Sequence, residues 1–459
     1  MATSMQAPTD TTPAPHRPPG PGRPTSRAYR GRVTVPADRA ADHLADLAAY
    51  VVASPTSFHA AAEGGRRLAA AGFVEQDETQ AWDASPGGHY LVRGGALVAW
   101  RVPAGAGPLT PFRVVGSHTD SPTFRLKPSP DLSAYGWHQL GWEVYGGPLL
   151  NSWLDRELGL AGRLVLRDGS TPLVRTGPVV RIPQLAIHLD RTIGENGLKL
   201  DRQHHTTPVW GVGPRGPGVL DHVAALVGAE AADIDGFDLF AFDTAAPAVF
   251  GPEREFFASA RLDNLASVHA SLTALIDAGE SDEIAVLAAF DHEELGSESR
   301  TGASGPLLAD VLTRTGAALG AGTDEQHRAW ARSFCVSSDA GHAVHPNYAE
   351  RHDPVNRPLL NAGPLLKINA NQRYASEGVG IARWRSACRR AGVRVQTFVS
   401  NNAMPCGSTI GPLTATRLGI AVVDVGIPTL SMHSARELTG ARDPYDLASA
   451  LGAFWSDPD

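Results

Sequence analysis

The stretch Glu283-Ile284-Ala285-Val286-Leu287-Ala288-Ala289-Phe290-Asp291-His292-Glu293-Glu294-Leu295-Gly296-Ser297-Glu298 changes character halfway along. Its first half is a short apolar run with branched side chains, the pattern of a strand buried on both faces. It ends abruptly in four ionisable side chains and a turn-forming glycine. Such charges can simply be a solvated loop. They can also be a metal site, in which one carboxylate of the Glu293-Glu294 pair binds a divalent cation and its neighbour takes a proton from the activated water. The rest of the chain decides between the two.

The chain has 459 residues, enough for two or three domains, with 42% hydrophobic and 19% charged residues, as in a soluble globular protein. A net charge of -8 gives no electrostatic footprint for nucleic acid or a membrane surface, and neither is expected as a partner. Cys335, Cys388 and Cys406 show no paired spacing, which argues against a disulfide framework or a thiolate zinc site and fits a reducing compartment. No run reaches the ~18 apolar residues of a membrane span. Residues 1–35, rich in Pro, Thr, Gly and Arg without an apolar core, read as a disordered tail and not a secretory signal. A cytoplasmic location is expected.

Helices are expected from about Asp38 and over 59–71, a strand over 89–102, and another at Phe112–Gly116 that runs into Ser117-His118-Thr119-Asp120. From about 123 to 250, short β-like runs (142–145, 162–166, 173–174, 179–182) broken by Gly and Pro read as a mostly-β unit inserted into an α/β domain. His188 in that unit is, on its own, an ordinary structural histidine. A helical stripe from Leu262 to Ile276 puts Asp263 at a helix start, where an N-cap is the plain reading. Strands are expected at 333–337, ending in Ser338-Asp339, at 364–369 around Lys367, at 393–399 and at 420–425, and an extended segment ends in His433. Lys367 is one of three lysines in the chain, in an apolar strand context where surface filler is not expected.

Three apolar strands thus end in His118, Glu293-Glu294 and Asp339, and ligand sites in open α/β sheets form where strand C-termini meet. Two histidines and several carboxylates there describe a pair of divalent cations bridged by one carboxylate; nitrogen and oxygen donors suit Zn²⁺, with Mn²⁺ or Co²⁺ as alternatives. The wording of these stretches goes further. Val114-Val-Gly-Ser-His-Thr-Asp-Ser-Pro122, Arg261-Leu-Asp-Asn264, Asp291-His-Glu-Glu-Leu-Gly-Ser-Glu-Ser299, Ser338-Asp-Ala-Gly-His-Ala-Val-His-Pro-Asn-Tyr348, Gln372-Arg-Tyr-Ala-Ser376, Pro405-Cys-Gly-Ser-Thr-Ile-Gly-Pro412 and Met432-His-Ser434 resemble the aspartyl aminopeptidase family of co-catalytic di-zinc peptidases. The likeness runs from about residue 40 to the end.

The resemblance implies a three-layer α/β zinc-peptidase domain with a central mixed sheet over 36–122 and 251–459, and an inserted mostly-β dimerisation domain over 123–250. It implies two Zn²⁺ per subunit: His118 and Asp339 on one, Glu294 and His433 on the other, and Asp263 bridging both, with a cis peptide after it. Asp120 would orient His118, and Glu293 would act as general base and then acid. His188 would reach into a neighbouring subunit's site, and His342, Lys367 and Tyr374 would contact substrate. The activity so implied is removal of N-terminal Asp or Glu from peptides by a homo-oligomer, a dodecamer built from dimers. A broad-specificity metallo-aminopeptidase and a non-catalytic peptide-binding assembly protein are the competing readings.

Overall fold

The computed structural model describes residues 37–214 and 216–456; the tail expected over 1–35 lies outside them. Three sheets organise the chain. The largest has nine strands in the spatial order 74–75, 87–93, 96–102, 284–290, 112–118, 334–338, 421–426, 365–368, 396–399. It is mixed, but the four strands at its centre (284–290, 112–118, 334–338 and 421–426) are mutually parallel. Their C-terminal ends therefore share one edge, with Phe290 paired to His118 and Ser338 to Val425.

The opening stretch is buried along all of Ile284–Phe290 because helices cover both faces of the sheet. Ala285, Leu287 and Ala289 join Val115, Val336 and the helix Leu262–Ile276 in one core layer. Ile284, Val286, Ala288 and Phe290 face the other way, toward Leu307, Val311 and Ile410. Double-sided burial is why the run lacks the polar alternation of a half-exposed strand. The architecture is the expected three-layer α/β fold with a mixed sheet.

The six strands 173–175, 158–166, 234–243, 123–134, 137–145 and 209–212 form a second, antiparallel sheet with its own core around Phe124, Trp153, Leu160 and Leu239. This is the expected inserted, mostly-β element. A third sheet of 248–250, 256–259, 437–440, 428–430 and 341–342 flanks the active edge. Among the described residues no helix is long and apolar enough to cross a membrane.

Several local expectations are corrected. Residues 89–102 are not one strand but a hairpin, Gly87–Arg93 with Ala96–Val102, turned by Gly94 (φ 62°) and Gly95 between the paired Arg93 and Ala96. Residues 179–182 form isolated bridges only, and the strand at 393–399 begins at Gln396. The C-terminal helix Asp443–Trp455 was not anticipated, although an acidic first turn and Pro444 mark its start. Asp263 is no N-cap: it and Asn264 depart from helical geometry and are joined by a cis peptide bond.

Candidate active site

The strand 112–118 delivers His118 to the edge. Its Nδ1 lies 3.0 Å from the Asp120 carbonyl oxygen, which fixes that nitrogen as the donor and leaves the Nε2 lone pair facing Asp263 Oδ1 at 3.2 Å and Asp339 Oδ1 at 3.4 Å. Asp263 presents its other oxygen to His433 Nε2 at 3.5 Å, and that nitrogen is also 3.5 Å from Glu294 Oε2. Two triads, His118–Asp263–Asp339 and Asp263–Glu294–His433, share Asp263, and a third group, His118–Glu293–Glu294, overlaps both; the donor atoms of each lie within 4.8 Å of one another.

The carboxylate pair of the opening stretch is set by a single neighbour. After His292, in a left-handed conformation (φ 64°), the chain turns so that the backbone N–H groups of Glu293 and Glu294 donate to Asp120 Oδ1 and Oδ2 at 3.0 and 3.2 Å. Tyr145 Oη donates to Asp120 Oδ2 at 2.8 Å. Asp120 therefore orients His118 and both glutamates at once. His292 Nδ1 contacts Ser299 Oγ at 2.9 Å, and Asp291 accepts the His292 N–H at 3.0 Å, so both support the turn.

His433 (φ 65°) is gripped at three points. Its Nδ1 lies 3.0 Å from the Gly147 carbonyl oxygen, its carbonyl accepts from Leu149 N–H at 2.9 Å, and its N–H donates to Glu437 Oε1 at 2.7 Å. Tyr145, Gly147 and Glu437 were not foreseen. Their partners lie far along the chain or depend on a left-handed turn that the sequence does not announce.

The electrostatics are those of a cation site. Burial opposes a charged His118, but Asp120, Asp263 and Asp339 outweigh it and hold its pKa well above the usual imidazole value. The same contest, with Asp263 and Glu294 as the opposing groups, pushes His433 up to about 10. Burial pushes the Glu293 carboxyl up to about 7, opposed by His118 and reinforced by Asp339 and Asp263. Asp263 Oδ1 and Glu294 Oε1 are buried without a hydrogen-bond partner. A divalent ion would satisfy those orphaned oxygens, and an all-N/O donor set suits zinc.

Lys367, only 1% exposed, donates from Nζ to the Ala340 carbonyl at 2.6 Å, lies 3.7 Å from Asp339 Oδ2 and stands 5.4 Å from the Tyr374 ring centroid. His342 ends the short strand 341–342, and its ring and that of Tyr374 both pack edgewise on Phe398. These three gather beside the carboxylates. His188 does not: it sits on an exposed stretch after residue 182, and among the described residues it is not joined to the others by a hydrogen bond or ion pair.

Comparison with known proteins decides the family. The family model described as "Aminopeptidase I zinc metalloprotease (M18)" matches residues 50–455. The chain belongs to the M18 family. It is a metallo-aminopeptidase of that family, a zinc-dependent hydrolase class. A Streptomyces coelicolor protein described as "Probable M18 family aminopeptidase 2" is 55% identical over 419 residues, covering 90% of this chain and 97% of the relative. Among solved structures, a chain of one described as "Cryo-EM structure of the Ape4 and Nbr1 complex" aligns at TM-score 0.88 with 34% identity, covering 91% of this chain and 86% of that one. The chain of a structure described as an S. cerevesiae mApe1 dodecamer aligns at 0.79 with 29% identity, covering 91% and 97%.

Proposed function

We propose that this M18 aminopeptidase holds two Zn²⁺ ions and removes N-terminal Asp or Glu residues from peptides. The observation that carries the reading is the pair of triads sharing Asp263, one oxygen toward each. His118 and Asp339 would hold one ion, Glu294 and His433 the other, with Asp263 between them. Zinc held there would lower the pKa of a water toward 7 and polarise the scissile carbonyl.

The chain's own residues supply the rest. Glu293, with a carboxyl near pKa 7, is suited to take the nucleophile's proton and return it to the leaving amine. Asp120 holds the Glu293 backbone and the His118 ring in position. An ammonium has three N–H donors, and Ala340 uses one of those of Lys367. Its two other N–H donors and its charge, with His342 and Tyr374 nearby, suit an acidic side chain at the substrate's N-terminus. His188 and its exposed apolar neighbours Leu185, Ile187 and Leu189 suit a contact with another subunit.

The segment 123–250 is accordingly read as a dimerisation domain inserted in a catalytic domain of 36–122 and 251–459, in a cytoplasmic dodecamer built from dimers. The dodecamer described for the S. cerevesiae relative supports that assembly. The test pairs metal analysis with Asp-, Glu- and Leu-anilide substrates. Two zinc ions per subunit and turnover of the acidic substrates alone are expected. One ion per subunit, or Leu-anilide cleaved equally well, refutes the corresponding half.

A further inference from the structure

Glu437 is 2% exposed and lies on the strand 437–440, four residues beyond His433. Its ladder partner is Ser259, and that pairing asks nothing of its side chain. The carboxylate is nonetheless fully committed. Oε2 accepts the backbone N–H of Asp263 at 2.9 Å, and Oε1 accepts the backbone N–H of His433 at 2.7 Å. One side chain thus joins two residues that are distant in sequence but lie within reach of one cation together with Glu294.

Both partners are donors, so both side-chain atoms must be acceptors. Only a carboxylate offers that; Gln would set its own N–H₂ against one of the two amides. A buried carboxylate beside the Asp263 carboxylate is costly unless positive charge is near. Arg261 and His433 lie close enough to supply part of that charge, and a cation held between Asp263 and His433 would add to it.

We propose that Glu437 is a positioning residue for the second ion: it fixes the bridging Asp263 and the terminal His433 relative to each other. It acts through their backbones and touches neither ion nor substrate. The inference rests on the two-ion reading above. A metal site tolerates only about 0.5 Å of drift in its ligands, and losing a residue that orients ligands typically weakens metal binding about 10–100-fold.

The test uses full-length wild type, Glu437→Gln and Glu437→Asp. Zinc stoichiometry and affinity are read by competition with a chelating dye, and thermal melting is recorded for zinc-loaded and metal-free protein. In Glu437→Gln one of the two zinc-binding steps is expected to weaken about 10–100-fold, and the zinc-loaded protein to lose more thermal stability than the metal-free protein does. Glu437→Asp keeps both acceptors on a shorter arm and is expected to fall between the two. Wild-type affinities in Glu437→Gln overturn the proposal. So does an equal loss of stability with and without zinc, or failure of both variants to fold, since either marks a purely structural residue. A wild type that binds fewer than two ions removes the two-ion reading itself. Two ions in wild type with unaltered binding in Glu437→Gln removes only the role of Glu437.

Discussion

Glu293→Gln separates proton transfer from everything else the site does. Among the described residues no protein group donates a hydrogen bond to the Glu293 carboxylate, while its backbone N–H is held by Asp120 at 3.0 Å. The substitution therefore leaves the turn anchored and changes the shape of the side chain very little. What it removes is a carboxyl that burial raises to about 7, a group suited to take and return a proton. General acid–base catalysis contributes about 10²–10⁴-fold. At ~1.36 kcal/mol per decade that is ~3–5 kcal/mol of transition-state stabilisation. Steady-state turnover of Asp-anilide should show kcat down by that factor with KM nearly unchanged. Zinc content and melting temperature should match wild type. A variant that keeps wild-type kcat refutes the role of Glu293, and one that loses zinc shows that Glu293 is a ligand instead.

Three other outcomes are expected. Lys367→Met removes the buried charge proposed to meet the substrate's acidic side chain, and loss of one partner from a buried charge pair costs about 2–5 kcal/mol; the ratio of acidic- to neutral-anilide kcat/KM should fall about 30-fold or more. Tyr145→Phe deletes the hydroxyl that donates to Asp120 and should weaken zinc binding about 10-fold in a chelator titration, with little change in metal-free folding. His43 is depressed from 6.5 to about 3 by burial and by His269, so stability is present above pH 6.5 and is lost as pH falls toward 3. At pH 5 that amounts to about 2 kcal/mol, and denaturant melts of metal-free protein should show His43→Gln losing less stability between pH 7 and 5 than wild type.

What was legible in the sequence was whatever one short window could hold. The strand 284–290 announced itself by its apolar run, and so did the strand ends carrying His118 and Asp339, because double-sided burial leaves an unbroken apolar signature. Glu294 and His433 were legible with them at strand and segment ends of the same kind; the family wording then added Asp263 and the separate roles, and the structure brings those five donors together. The hairpin at 87–102 was hidden because its two apolar arms read as one continuous extended run and only Gly94-Gly95 separates them. Glu437 was invisible for a different reason. Its partner Asp263 is 174 residues away, and nothing local distinguishes it from any strand-edge acid. His188 could be placed only by analogy, because its proposed target belongs to a second subunit.

The inserted sheet is more than an attachment to the catalytic fold. The strand 137–145 leads into residues 145–149, which touch each proposed ion site. Tyr145 donates to Asp120, the residue that orients His118 and holds the backbones of Glu293 and Glu294. Two residues on, the Gly147 carbonyl meets the His433 ring and the Leu149 N–H holds its backbone. Between them Gly146 (φ 69°) lies against Glu294, where a Cβ would come within 3.1 Å of the Glu294 Cβ. One five-residue segment thus bears on His118 through Asp120, on His433 directly and on Glu294 by contact. Any shift of the strand 137–145 relative to the large sheet must move ligands of both sites. The arrangement of these side chains is therefore set jointly by the inserted sheet and the sheets of the larger fold, and no one sheet specifies it alone.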